Sequence, residues 1–162
     1  MAIADDLLTL AEYLTMPRLT EPEQAWLRRS ISTAYYALFH LLATEAAQRW
    51  TGSPASRLGL ERAFKHDQMN DVSRAVAKGS WKGWSTPRLL VPTELRHLAE
   101  WFGKLQEARH QADYNNEKSW TQPEVAEMIA EARIAFQKWK GISGSAVADE
   151  YLLSLMIGKK RE

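Results

Sequence analysis

Apolar residues recur along this chain at intervals of three and four, the spacing of an amphipathic helix, and no segment alternates with the two-residue rhythm of a strand. Residues 3–15 carry Ile3, Leu7, Leu10, Ala11 and Leu14 as one stripe, and Pro17 ends the element. Thr20 opens a second helix with a capping box to Glu23, and Pro22 sits in the first turn, where its missing N–H costs nothing. That helix runs to about Trp50, with Leu27, Ile31, Ala34, Tyr35, Leu38, Leu42 and Ala46 inward, until Gly52-Ser53-Pro54 stops it. A third helix over residues 55–78 turns Leu60, Phe64, Val72 and Val76 inward and ends at Gly79. The fourth, about 93–115, follows Leu95, Leu98, Phe102, Leu105, Arg109 and Ala112. The fifth starts at a second capping box, Thr121 to Glu124, and continues through Val125, Ile129, Ala132, Phe136 and Trp139 to Gly141. A short last helix around 146–157 carries Val147, Tyr151, Leu152, Leu155 and Met156, and Gly158 precedes the basic tail KKRE. The pattern predicts an all-α fold: a compact up-and-down bundle of about five helices over residues 1–140. Residues 141–162, the amphipathic helix and tail, are expected to pack on the same domain or on a dimer partner.

One segment breaks the period. Residues 79–92, GSWKGWSTPRLLVP, mix Gly, Ser, Pro and two Trp, and read as a long loop. Trp81 and Trp84 are costly to leave in water, so packing against the protein's own body is their first expected role.

Composition narrows the class. The 162 residues suffice for one domain with a real core, at 45% hydrophobic and 25% charged. Cysteine is absent, which removes disulfides, thiolate metal sites and a cysteine nucleophile, and suits a reducing compartment. The first twenty residues hold Asp5, Asp6 and Glu12 in place of a basic start and apolar run. No apolar stretch approaches the ~18 residues that span a bilayer, so the expectation is a cytoplasmic protein with no membrane segment. Net charge is +1, but residues 57–88 hold seven Lys/Arg against three Asp/Glu. Such a segment meets phosphate in some proteins and is merely a solvated face in more.

Candidate chemistry lies where polar residues interrupt apolar stripes. Arg109 occupies a step of the fourth helix where every other member is apolar, and its charge cannot be shed on burial. Asp113, one turn later, is the obvious partner. Two readings stand side by side: an internal ion pair fixing the bundle's register, or a guanidinium fork presented to phosphate. On the second helix Arg29, Thr33, Tyr36 and His40 share a face beside the apolar stripe, where Tyr36 and His40 can bury their bodies and keep polar tips wet. The four histidines, His40, His66, His97 and His110, show no metal-ligand spacing, so no metal site or cofactor is expected. His110 follows Arg109 directly, about 100° around the helix, and belongs to another face.

With these residues in view, the chain resembles the HEPN-domain family (higher eukaryotes and prokaryotes nucleotide-binding), of the stand-alone bacterial type. The resemblance rests on RRSISTAYYALFHLLATEA (Arg28–Ala46) and EARHQADYNN (Glu107–Asn116), with a weaker echo at Phe64-Lys65-His66. It implies an all-α bundle that often dimerises, and for many members metal-independent ribonuclease activity in toxin–antitoxin or defence systems. The family's catalytic arginine is followed four to six residues later by histidine. Arg109 matches the arginine, whereas no histidine follows in that window, so the motif is degenerate. The expected function is therefore a nucleotide-, RNA- or partner-binding module with Arg29, Tyr36, His40, Arg109, His110, Asp113 and Tyr114 at the site. The first alternative is a ribonuclease in which Arg109 stabilises charge and His40 or His66 moves the proton. The second is a structural scaffold. A nucleotidyltransferase-type partner and a homodimer are implied by the family association alone.

Overall fold

The computed structural model describes residues 2–17, 23–81 and 89–158. They form an all-α bundle of seven helices: α1 (Ile3–Leu14), α2 (Glu23–Trp50), α3 (Pro54–Glu61), α4 (His66–Ala77), α5 (Thr93–Tyr114), α6 (Gln122–Ile142) and α7 (Ala146–Ile157). No strand occurs among the described residues, and no helix there is long and apolar enough to cross a membrane.

The long α2 is the axis of the bundle. Its buried residues include Leu27, Ile31, Ala34, Tyr35, Ala37, Leu38, Ala43 and Ala47, which lie on nearly every side of the helix. Helices α1, α3, α5, α6 and α7 all pack on it. The stripes expected on α5 and α6 are buried as read, from Leu95 to Ala112 with Arg109 as the exception, and from Val125 to Trp139. The capping box of α6 is present: the Glu124 amide donates to Thr121 Oγ1 and the Thr121 amide donates to Glu124 Oε2. The box expected at Thr20 lies outside the described residues.

Two expectations on the helices are corrected. The helix expected over 55–78 is two helices. Backbone bonds of the i→i+3 type, Ala63 to Leu60 and Phe64 to Glu61, close α3, and Lys65 is extended before α4 begins. Leu60 and Phe64 keep helical spacing across the break, which hides it in the sequence. The turn lets Phe64 enter the core while α4 swings to bury Met69, Val72 and Val76. On α1 the buried face is Ala4, Leu8, Ala11 and Leu14, whereas Ile3 and Leu10 stay 51% and 45% exposed. Small Ala4 and Ala11 permit close approach to α2, where Ser30 Oγ donates to the Ala11 carbonyl at 2.8 Å. Ion pairs from Glu12 to Arg133 and from Asp5 to Lys140 draw the acidic edge of α1 toward α6. Together these bonds rotate the helix away from its most apolar stripe.

In the 79–92 segment, Trp81 packs on the core and its indole N–H donates to the Leu89 carbonyl at 2.6 Å. Trp84 lies outside the described residues. The closing helix α7 packs on α4 and α2, burying Tyr151, Leu152 and Leu155. Tyr151 and Ser73 are both fully buried and their hydroxyls lie 2.7 Å apart. Burial holds the Tyr151 phenol well above its ordinary range, so it stays protonated.

This pair makes an asymmetric prediction. Ser73→Ala strands the phenol in the core and costs about 1–3 kcal/mol. Tyr151→Phe costs less, because the Ser73 hydroxyl can turn to a carbonyl of its own helix. The double variant regains much of the Ser73→Ala loss. Urea unfolding of the three variants measures the three values.

Candidate anion site at the α2–α5 crossing

Helix α2 crosses α5 with polar contacts at successive turns. At one end Arg28 donates to the carbonyls of Ala112 (2.7 Å), Asn115 (3.0 Å) and Lys118 (2.5 Å), closing off the C-terminal end of α5. One turn along, Ser32 Oγ donates to Asp113 Oδ1 at 2.6 Å. The next turn brings Tyr35 and Tyr36 against Arg109, whose guanidinium carbon lies 5.0 Å and 5.8 Å from the two ring centroids. A cation over aromatic faces recovers part of what burial removes from its hydration.

Arg109 is only 15% exposed, yet its other pairing is loose. One terminal nitrogen meets Asp113 Oδ2 at 3.5 Å, and Nε is buried without a partner among the described residues.

The break before α4 makes His66 the first residue of that helix and turns it into the same cluster. Its ring stacks on Phe39 at 4.4 Å and meets the edge of Tyr36 at 5.9 Å. Its Nδ1 lies 2.6 Å from the Tyr35 hydroxyl, and its carbonyl accepts from Gln106 Nε2 at 3.3 Å. Tyr35 and Tyr36 therefore each touch both Arg109 and His66. Burial keeps the Tyr35 phenol protonated, so it donates to Nδ1 when neutral His66 carries its proton on Nε2 and accepts from Nδ1–H in the other tautomer. Desolvation, and after it the Arg109 charge, depress the His66 pKa; Asp67 opposes them, and His40 adds a smaller lowering. The first turn of α4 also lacks a side-chain cap, which leaves its amides and the positive end of its dipole at this spot.

The residues singled out in the sequence divide into three groups. Arg109, Tyr36, Asp113 and His66 come together. His40 lies beside them, its ring 5.6 Å from Phe39 and its charge felt by His66. Arg29, His110 and Tyr114 stay apart. Arg29 is exposed on α2, and His110 packs on Tyr114, which is 69% exposed on another face of α5. Sequence reasoning missed Tyr35, Arg28, Ser32 and Gln106. Tyr35 was hidden by its apolar neighbours, although a phenol in an aliphatic stripe must find a hydrogen-bond partner.

The guanidinium, and the imidazole when it carries a proton on Nε2, are donors that suit an oxyanion, while the Asp113 carboxylate of the cluster is tied to Ser32. Among the described residues no group of three or more His, Asp or Glu is placed to hold a metal ion.

The electrostatics give a pH prediction. His66 has a depressed folded pKa, so the unfolded chain binds the proton more readily. Its contribution to stability is present above the ordinary histidine value of about 6.5 and is lost as pH falls through the folded value. Arg109→Gln removes a cation and moves the His66 midpoint upward in an NMR titration. An unmoved midpoint shows that the two side chains do not share a field.

No family model, curated protein or solved structure matches the chain.

Proposed function

We propose that this chain is a HEPN-like binding module whose Arg109–His66 site takes a phosphate group of an RNA or nucleotide. The observation that carries the reading is the contrast between Arg109 and the other arginines. Arg133 grips Glu12 with two bonds of 2.7 and 2.8 Å, and Arg49 meets Asp149 at 2.8 and 2.9 Å. Arg28 is consumed by three carbonyls. Arg109 alone of these four holds a single long hydrogen bond, beside a histidine whose Nε2 makes no hydrogen bond among the described residues. A phosphate is the group that a guanidinium fork and an imidazole donor together fit.

A metal-independent ribonuclease is the second reading, favoured by one observation: His66, with its depressed pKa, stands beside Arg109 where proton transfer would be needed. The remaining expectations rest on the resemblance over Arg28–Ala46 and Glu107–Asn116. They are a homodimer, a toxin–antitoxin or defence setting and a nucleotidyltransferase-type partner, whereas a cytoplasmic location rests on the cysteine-free composition and the lack of a long apolar stretch.

The test is incubation of purified protein with labelled RNA in EDTA, read by gel shift and by product length. The expected result is a retarded band without cleavage. Arg109→Ala weakens binding tenfold or more, about 1.4 kcal/mol, while thermal unfolding stays cooperative. Binding tightens as pH falls, because a bound phosphate favours protonated His66. Cleavage by wild type and not by Arg109→Ala moves the assignment to a ribonuclease. Neither retardation nor cleavage leaves a protein-interaction scaffold.

A further inference from the structure

His66 sits on the first turn of α4, immediately after a non-helical break, so something must hold that turn in place. Lys65 provides no side-chain cap, and α5 contributes the 3.3 Å bond from Gln106 to the His66 carbonyl. The shorter bonds come from the opposite side. Gln68 Nε2 donates to the carbonyls of Leu155 (2.9 Å) and Met156 (2.6 Å) in the last turn of α7. Those carbonyls lack intrahelical partners by position, and Gln68 supplies one from another helix.

The contact has a tight fit. Gly158 ends α7 with φ of +75°, and a Cβ placed there would collide with Cγ, Cδ and Oε1 of Gln68. Helix α7 then runs antiparallel along α4, with Tyr151 bonded to Ser73 farther on. Its negative end thus lies at the positive end of α4, a favourable juxtaposition of the two dipoles.

We propose that Gln68 is a positioning residue: by tying the first turn of α4 to the end of α7 it holds His66 against Tyr35 and beside Arg109. Helix α7, which makes no hydrogen bond or ring contact to Arg109, His66, Tyr35 or Tyr36 among the described residues, thereby sets the site's geometry. This inference rests on the phosphate-binding reading for its functional meaning, but its structural content is testable without a ligand.

Three full-length variants separate the possibilities. Gln68→Met keeps the volume and removes the donor. Gly158→Ala displaces the same side chain from α7. Ser73→Ala loosens the α4–α7 contact away from the first turn. The readout is the NMR titration of the His66 ring, which faces Tyr35, Tyr36 and His40 on α2, Arg109 on α5 and Asp67 on α4. Gln68→Met and Gly158→Ala are expected to move the His66 midpoint upward as the ring leaves its desolvated seat, whereas Ser73→Ala lowers stability and leaves the midpoint in place. A midpoint unmoved in folded Gln68→Met overturns the proposal, whether or not Gly158→Ala folds. An equal movement in Ser73→Ala also overturns it, because any loosening of α7 would then suffice. If wild-type protein fails to bind RNA in the gel shift, the phosphate-binding reading falls, while the His66 titration still decides the role of Gln68.

Discussion

A 28-residue helix buried on nearly every side along its middle must set the polar side chains of that stretch against its neighbours, and much of this fold follows from how α2 meets that constraint. Apolar burial supplies most of the stabilisation but has no direction. Direction comes from polar bonds, and α2 makes at least one to each packed element that matters. Ser30 reaches α1, Ser32 and Arg28 reach α5, Tyr35 reaches α4, Glu45 accepts from Trp139 and Ser143 around the end of α6, and Arg49 reaches Asp149 on α7. The buried ones are each worth only about 0.5–1.5 kcal/mol net, while solvent screens the exposed Arg49 pair. A buried partner left unmatched costs more than that, so together they select one register for the bundle.

The Arg109–His66 cluster is a by-product of the same constraint. Tyr35 is wholly buried, and its hydroxyl must find a partner. The partner is His66, which the break after α3 makes available at the start of α4. Once both are in place, the faces of Tyr35 and Tyr36 form the surface on which Arg109 lies. Asp113 is held by Ser32 at 2.6 Å and reaches Arg109 only at 3.5 Å. Well-formed charge-assisted bonds between nitrogen and carboxylate run nearer 2.7–2.9 Å. The carboxylate is thus committed to the α2–α5 register first and to the guanidinium second.

Much of this was legible where one physical signal dominated. On α5 and α6 the apolar period and the Thr121–Glu124 box agree, so stripes and start were readable, and Arg109 stood out because it broke a stripe. Legibility failed where two signals competed. Ile3, Leu7 and Leu10 form the more apolar stripe of α1, but close packing through Ala4 and Ala11 and two ion pairs to α6 decided its rotation. Between α3 and α4 the period ran on while the backbone turned, and that turn is what brings His66 into the site. Arg28 and Arg29 are neighbours with opposite fates: the first closes off α5 and the second faces solvent. Sequence gave no ground to choose between them, because the choice depends on where α5 ends in space.

The hydrogen bond from Tyr35 bears on binding against catalysis as well as on structure. A general base needs a free lone pair on the ring nitrogen that faces substrate. Where the phenol donates to Nδ1, neutral His66 carries its proton on Nε2, which makes that nitrogen a donor. Protonating the ring would turn Nδ1 into a donor as well and leave the buried phenol proton without its acceptor. Arg109 and desolvation oppose the same charged state. An arriving phosphate changes this balance, since its negative charge compensates both cations at once. On the proposed phosphate-binding reading, the site takes up a proton together with the anion. Base catalysis would require the other tautomer, in which Nδ1–H donates to the Tyr35 oxygen and Nε2 carries the free lone pair.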